Sequence, residues 1–506
     1  MTPDEFADIG HRMIDVIADY MRTVESMAIM PDTKPGEVYD AFPSGPPDMG
    51  DTGDAGDWSG IFADIQRSII PNITHWQHPS FFGYFPCNAS GPGILGELLA
   101  AGLGVQGMLW QTSPACTELE TLTLDWLVDL LGLPDNYHSR RSDGTGGGVI
   151  QHTASDATLV AMLAGRQRQL RAGASPDAIC VYASQQAHSS IVKAAMVAGL
   201  AKSPEDTSSV RLIATDAQHR MDPAALAEAL REDVLAGRAP AFVCATLGTT
   251  SSEAVDPIDK IATAIDEVSA STSPRPWLHV DAAYTGAALV CPEHRHLAKG
   301  LDRAESFCFN PHKWLLTNFD CDTMFTSDAA GLTAALSITP EYLRNQASDD
   351  GAVIDYRDWH VPLGRKFRSL KLWMVLRHYG RGGLQAYIRN HVAIAASLEQ
   401  RVARDPRFEL AAPRTTALVC LRLAPPGTTP ERADALTRSL MDSLNATGEV
   451  FLTHTTLTIA DQNGAGAPRF VLRIAVGGTH TEQRHGDHLW QLLTEHADQL
   501  IRSRAT

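Results

Sequence analysis

The stretch Ser306-Phe-Cys-Phe-Asn-Pro-His-Lys-Trp-Leu-Leu-Thr317 begins as a short apolar strand, Ser306 to Phe309, and then sets one lysine, Lys313, among apolar and aromatic residues with no acid following it. An ammonium ion in such a setting is costly. Desolvation disfavours the charged amine, and a neutral lysine is a nucleophile able to form a Schiff base with an aldehyde cofactor. Working outward, Pro276-Trp-Leu-His-Val-Asp-Ala-Ala283 reads as a buried strand with an acid, Asp281, near its carboxyl end. Further strands are expected at 178–183, 210–214 and 241–247, with helices between them such as 223–230 and 257–269. Short apolar strands alternating with helices predict an α/β fold with a mainly parallel sheet covered on both faces.

Asp281 alone could be a strand-end cap, and Lys313 alone a snorkelling surface lysine. Together they suit pyridoxal 5'-phosphate. The lysine holds the aldehyde carbon, and the carboxylate keeps the ring nitrogen protonated so that the ring can accept electrons. The glycine run from Gly144 to Ser155 leads into an apolar helix from Asp156 to Arg166. That junction reads either as a phosphate site, built from free backbone N–H groups, Thr153, Ser155 and the helix dipole, or as a plain flexible turn and N-cap. His188 follows a strand at the end where α/β sheets bind ligands, and an imidazole there is either structural or able to stack on a pyridoxal ring. Cys291, His294 and His296 carry metal-ligand types but lack a fourth ligand at tight spacing, so no metal is expected. The ring-rich segment from Trp76 to Cys87 reads as core or as a wall for an aromatic substrate.

The 506 residues are 44% hydrophobic and 20% charged, the composition of a soluble globular protein with room for two or three domains. A formal charge of −17 argues against nucleic acid or an anionic membrane as the main partner. The cysteines are scattered within apolar runs, the N-terminus is acidic where a signal peptide would be basic, and no apolar run approaches a bilayer span; a reducing cytoplasm is expected. Residues 2 to 28 read as an amphipathic helix started by Thr2, Pro3 and Glu5. A Pro/Gly/Asp-rich arm follows, and both could pack on a partner subunit or on their own domain. A helix from Thr117 to Leu131 is expected to be capped by the pair Thr117/Glu120. The polar stretch 338–359 reads as a mobile loop, then come helices at 365–379 and 390–405, and strand-like pieces at 417–423, 450–453 and 469–475. The expected division is an N-terminal helical, wrapping segment (1–87), a large cofactor-binding domain (88–378) and a small C-terminal α+β domain (379–506).

Six motifs in order, Thr-His-Trp (74–76), Ser-Pro-Ala-Cys-Thr-Glu-Leu-Glu (113–120), Gln-Ala-His-Ser-Ser (186–190), His-Val-Asp-Ala-Ala-Tyr (279–284), Phe-Asn-Pro-His-Lys-Trp-Leu-Leu (309–316) and Leu-Gly-Arg-Lys-Phe-Arg-Ser-Leu-Lys (363–371), resemble the group II pyridoxal-dependent decarboxylases, specifically the aromatic L-amino acid decarboxylases. The resemblance implies a fold-type I enzyme with a mainly parallel seven-stranded sheet, working as a homodimer with interfacial active sites. By position, Lys313 would bind the cofactor aldehyde, Asp281 would pair with the pyridine nitrogen and His188 would stack on the ring. Thr153, Ala154, Ser155, Thr250, Ala283 and Asn310 would hold the cofactor, with His312 beside its phosphate. Trp76, Tyr84, Phe85, Pro86, Cys87, Met108 and Gly364, with His188, would line the substrate pocket, and Tyr342 would reprotonate the substrate α-carbon.

Departures from the family pattern bear on substrate. Met108 and Gln106 stand where animal members carry Phe and Ile, and Cys87 stands where the family has threonine. Gly364 resembles the small residue of indole-accepting plant members, which points to tryptophan or a broad aromatic range. The expected product is the arylalkylamine with carbon dioxide. The alternatives are an aromatic aldehyde synthase, against which Tyr342 and His188 both speak, a histidine or acidic amino acid decarboxylase, and a catalytically dead cofactor-binding protein.

Overall fold

This computed structural model describes residues 1–46, 58–141, 144–269, 274–338, 353–460 and 466–502. Strands Gly147–Gln151 (β1), Ile179–Ser184 (β2), Val210–Ile213 (β3), Ala239–Thr246 (β4), Trp277–Asp281 (β5), Ser306–Phe309 (β6) and Asp322–Thr326 (β7) form a seven-stranded sheet in the order β1-β7-β6-β5-β4-β2-β3. β2 pairs in parallel with β3 and β4, and β5 with β4 and β6. β7 is antiparallel to both its neighbours, β1 and β6. The link from β6 to β7 holds only the short helix Pro311–Trp314, too little to carry the chain back across the sheet for a parallel return.

Every residue of β1, β2, β5, β6 and β7 is buried, because helices cover both faces. Helix Ala154–Arg171 packs over Val149, Val181, Phe242, Cys244, Cys308 and Met324. Helices Pro114–Leu131, Pro223–Leu235 and Ile258–Ser269 share the opposite core with Ile150, Tyr182, Val243, Val280, Phe307 and Phe325. The parallel architecture expected from the strand and helix rhythm is therefore present, with five of its strands placed to within two residues.

Three expectations need correction. The glycine run is not wholly a turn: Gly147 to Gln151 is β1, and the glycines serve close packing. A Cβ on Gly146 would collide with the Asn136 carbonyl, and one on Gly148 would press on the Phe325 ring. Helix 117–131 starts earlier, at Pro114, so Thr117 and Glu120 form no cap. Glu120 is instead buried, accepting hydrogen bonds from the Arg365 guanidinium and from Ile150 N at 2.8 Å. Arg365 thus precedes the next helix, which begins at Ser369, and the two helices expected at 365–379 and 390–405 are present within Ser369–Arg404, meeting at a kink at Gly380 (φ 59°), so the first starts four residues later and the second earlier than expected.

A second sheet, β10-β11-β9-β8, is antiparallel throughout and is built from Phe408–Leu410 (β8), Leu418–Leu423 (β9), Thr453–Ala460 (β10) and Gly466–Ala475 (β11). β10 lies downstream of the expected 450–453 strand. The 76–87 segment lies against this sheet: Phe82 N donates to Phe451 O at 2.9 Å, and Ala475 N to Phe82 O at 3.0 Å. The N-terminal helix Pro3–Thr23 has the expected start, a capping box between Thr2 and Glu5. It ends before residue 28 and buries none of its apolar stripe; Phe6 is 58% exposed.

Candidate active site

Because the strands share a direction, the carboxyl ends of β1, β2, β4, β5 and β6 open on one edge of the sheet, where ligands of α/β proteins gather. β5 ends at Asp281, which is buried and accepts a hydrogen bond from Ala283 N at 2.9 Å. Ala283 O in turn receives Asn310 N at 3.0 Å, so the turns after β5 and β6 are tied together. Asn310 is the N-cap of Pro311–Trp314, the helix that carries His312 and Lys313. Its Oδ1 accepts from Ala154 N at 3.1 Å, which brings the helix start after β1 to the same place. Thr153 caps that helix in a reciprocal pair with Asp156, and Ser155 is exposed in its first turn. Thr250 sits half-buried in the turn after β4.

Burial pulls the Lys313 amine below its ordinary value, with the Asp281 carboxylate opposing the effect. His188, in the turn after β2, accepts from Ser190 N at 3.2 Å and is lowered by desolvation, while Asp281 pulls its imidazole up and Lys313 pulls it further down. His188, Asp281 and Lys313 therefore sense one another across the sheet edge. His312 is buried, accepts from Cys321 N at 2.9 Å through Nδ1, and is pushed by burial to about 3, so it is neutral at neutral pH.

Phe85 forms the other side of this cluster. Its ring stacks on Tyr284 at 4.1 Å between centroids, and Lys313 Nζ lies 5.3 Å from its centroid. The Arg473 guanidinium lies 5.2 Å from the same centroid. Arg473 was not anticipated from the sequence. It is 3% exposed, donates from one nitrogen to Tyr84 O and Thr453 Oγ1, and has no partner for Nε or Nη2 among the described residues. A lone charge inside the strand run Phe470-Val-Leu-Arg-Ile-Ala475 was the available signal, the same one that marks Lys313.

Trp76 and Tyr84 stack at 5.6 Å and both are exposed, while Phe81 joins Trp76 to Phe451. Pro86 packs beneath Gly477, and Cys87 is half-buried with its carbonyl accepting from Gln77 Nε2 at 2.6 Å. Met108 and Gly364 are placed by a separate set of contacts. Gly107 N donates to Arg365 O at 2.7 Å, Arg357 N to Met108 O at 3.1 Å, and Arg365 N to Gln106 Oε1 at 2.6 Å. Tyr342 lies outside the described residues, as does most of the stretch read as a mobile loop. Cys291 is buried against Gln385 O, and His296 is tied to Glu293 O; among the described residues no group of three or more metal-ligand side chains converges.

A buried amine whose pKa is lowered by desolvation, a strand-end carboxylate, a stackable imidazole and a helix start bearing Thr153 and the exposed Ser155 form a donor set that fits pyridoxal phosphate. The sequence pattern of the pyridoxal-dependent decarboxylase conserved domain matches residues 45–424. The chain belongs to this family of pyridoxal-phosphate-dependent carboxy-lyases. It is 44% identical over 505 residues to tryptophan decarboxylase 2 of Oryza sativa, covering 99% of this chain and 96% of that one. It is 43% identical to phenylacetaldehyde synthase of Arabidopsis thaliana, covering 99% and 97%. The crystal structure of Oryza sativa TDC with PLP and tryptamine superposes with a TM-score of 0.90 at 40% identity, covering 99% of both chains.

Proposed function

We propose that the chain removes the α-carboxylate of an aromatic L-amino acid, releasing carbon dioxide and the arylalkylamine, and that it works as a homodimer. The observation that carries this reading is the placing of the buried Lys313 amine and the Arg473 guanidinium on the ring of Phe85, with Asp281 at the neighbouring strand end. When bound, pyridoxal phosphate supplies a ring that accepts the electron pair left behind as carbon dioxide departs. Lys313, whose amine burial makes easier to deprotonate, would hold its aldehyde, and Asp281 would keep the proton on its ring nitrogen. His188 would stack on the ring, and Thr153, Ala154, Ser155, Thr250, Ala283, Asn310 and His312 would hold the rest. The Arg473 nitrogens that have no partner among the described residues would receive the substrate carboxylate and fix its direction, in an apolar setting that favours loss of the charge. Trp76, Tyr84, Phe85, Pro86 and Cys87 form the wall for the aromatic side chain, and Tyr342 returns a proton to the α-carbon.

The dimer is supported by surface that a lone chain leaves bare. Helix Gly91–Leu103 exposes Leu95, Leu98, Leu99 and Leu103, and the N-terminal helix exposes Phe6. Met108 and Gly364, whose contacts given above involve neither Lys313 nor Asp281, are read as contributions to the second copy's pocket. The three-part division at 87 and 378 is supported by a second sheet that lies wholly after residue 379 and by the helix break at Gly380. All eight cysteines are free, which supports a reducing, cytoplasmic setting.

The similarity to phenylacetaldehyde synthase favours one second reading, decarboxylation with oxidative deamination. Carbon dioxide, amine, aldehyde and peroxide measured from tryptophan, tyrosine, phenylalanine and 3,4-dihydroxyphenylalanine separate the two. Amine equal to carbon dioxide supports the decarboxylase; aldehyde and peroxide in its place overturn it.

A further inference from the structure

Asp322 opens β7 and is fully buried, yet neither of its carboxylate oxygens has a hydrogen-bond partner among the described residues. A buried carboxylate left without a partner is costly, so the site is built for something the described residues do not provide. Its position says where that something lies. In the sheet register Asp322 stands opposite Gln151, the last residue of β1, from which the chain runs through His152 to Thr153. The next residue, Thr323, stands opposite Phe309, which precedes Asn310. Strand alternation puts Asp322 on the same sheet face as Met324, the face covered by helix Ala154–Arg171. Asp322 is therefore at the floor between the 153–155 helix start and the Asn310–Lys313 turn.

The charged groups that act on it come from three elements: Asp281 from β5, Asp156 from the first turn after β1, and Lys313 from the turn after β6. Burial and the two acids outweigh the lysine and push the Asp322 carboxyl well above the usual carboxylate range. A neutral carboxylic acid carries one O–H donor, whereas an ionised one only accepts. An anion placed at this floor would reinforce the neutral form. We propose that Asp322 is a cofactor-binding residue, a protonated acid whose O–H donates a hydrogen bond to the phosphate of pyridoxal phosphate. This rests on the reading that Thr153, Ser155 and Asn310 surround that phosphate.

The test compares cofactors with and without the phosphate. Apoenzyme of the wild type, Asp322→Leu, Asp322→Asn and Ser155→Ala is titrated with pyridoxal 5'-phosphate and with pyridoxal, following absorbance. Asp322→Leu is expected to weaken pyridoxal phosphate roughly 5- to 100-fold, the loss of one buried hydrogen bond, and to leave pyridoxal within about twofold. Asp322→Asn, which keeps an N–H donor, is expected to remain within about fivefold of the wild type for both. Equal losses for the two ligands, or no loss in Asp322→Leu, overturn the inference. A phosphate-selective loss in Ser155→Ala without one in Asp322→Leu overturns it alone; no selective loss in either variant overturns the phosphate reading too. Should Asp322→Leu fail to fold, Asp322→Asn decides. Its affinity for pyridoxal phosphate should overtake that of the wild type as pH rises past the point where Asp322 ionises, and parallel pH profiles contradict the proposal.

Discussion

Asn310 Oδ1 accepts a hydrogen bond from Ala154 N at 3.1 Å, which fastens the first helical residue after β1 to the residue that caps the lysine-bearing turn after β6. The helix start and the lysine-bearing turn, the two ends of the proposed cofactor site, are thereby held in one geometry although they are far apart in sequence. Replacing Asn310 by Ala leaves a buried N–H unpaired, at a cost of about 1–3 kcal/mol. Asn310→Ala is expected to weaken cofactor binding by roughly 5- to 100-fold, read from absorbance titration of the apoenzyme.

Arg473 is buried with two nitrogens that have no partner among the described residues. A charge held this way stabilises function at the expense of the fold, since an apolar residue of similar size relieves its desolvation. Arg473→Met is expected to melt at or above the wild-type temperature while kcat/KM falls about 30-fold or more, the loss of one partner of a buried ion pair. Thermal melts paired with steady-state kinetics check both halves.

The buried imidazole of His312 gives a pH signature with a defined sign. Its native value is pushed down to about 3 from 6.5, so below about pH 6.5 the unfolded chain takes up a proton there that the native state refuses. The native state loses stability as pH falls through that window, at ~1.4 kcal/mol per pH unit. His312→Gln removes this contribution. Between pH 6.5 and 5 the stability of the wild type relative to this variant should fall by ~2 kcal/mol, measured by denaturant unfolding of the apoenzymes.

Helix Gly91–Leu103 offers Leu95 and Leu99 on one exposed face, one helical turn apart. Acidic side chains at both positions would put charges where the proposed second copy would pack. Leu95→Glu with Leu99→Glu is expected to shift sedimentation from dimer to monomer and to abolish turnover, with near-wild-type circular dichroism. An active monomer would show that one chain suffices.

Residue type and local pattern made much of this legible. The strands carrying Asp281 and leading to Lys313 were readable because an apolar run of four or five residues has few other uses, and a charge at its end stands out. β1 was hidden, because Gly147 and Gly148 have the signature of a loop and their reason, the Phe325 ring and Trp359 packed against them, comes from distant sequence. Thr117 and Glu120 had the spacing of a cap, and only the fold brings Arg365 to Glu120 to claim it. Arg473 and Asp322 each sit in an apolar strand, yet their importance lies in missing partners, which a sequence does not display.

The central claim is that Lys313 is the covalent attachment point of the cofactor. Reduction of the loaded enzyme with borohydride, followed by proteolysis and mass mapping, tests it most directly. One pyridoxyl group per chain is expected, on the peptide containing Phe309-Asn-Pro-His-Lys-Trp314 and borne by Lys313; a label on a different lysine, or none at all, would rule this attachment out.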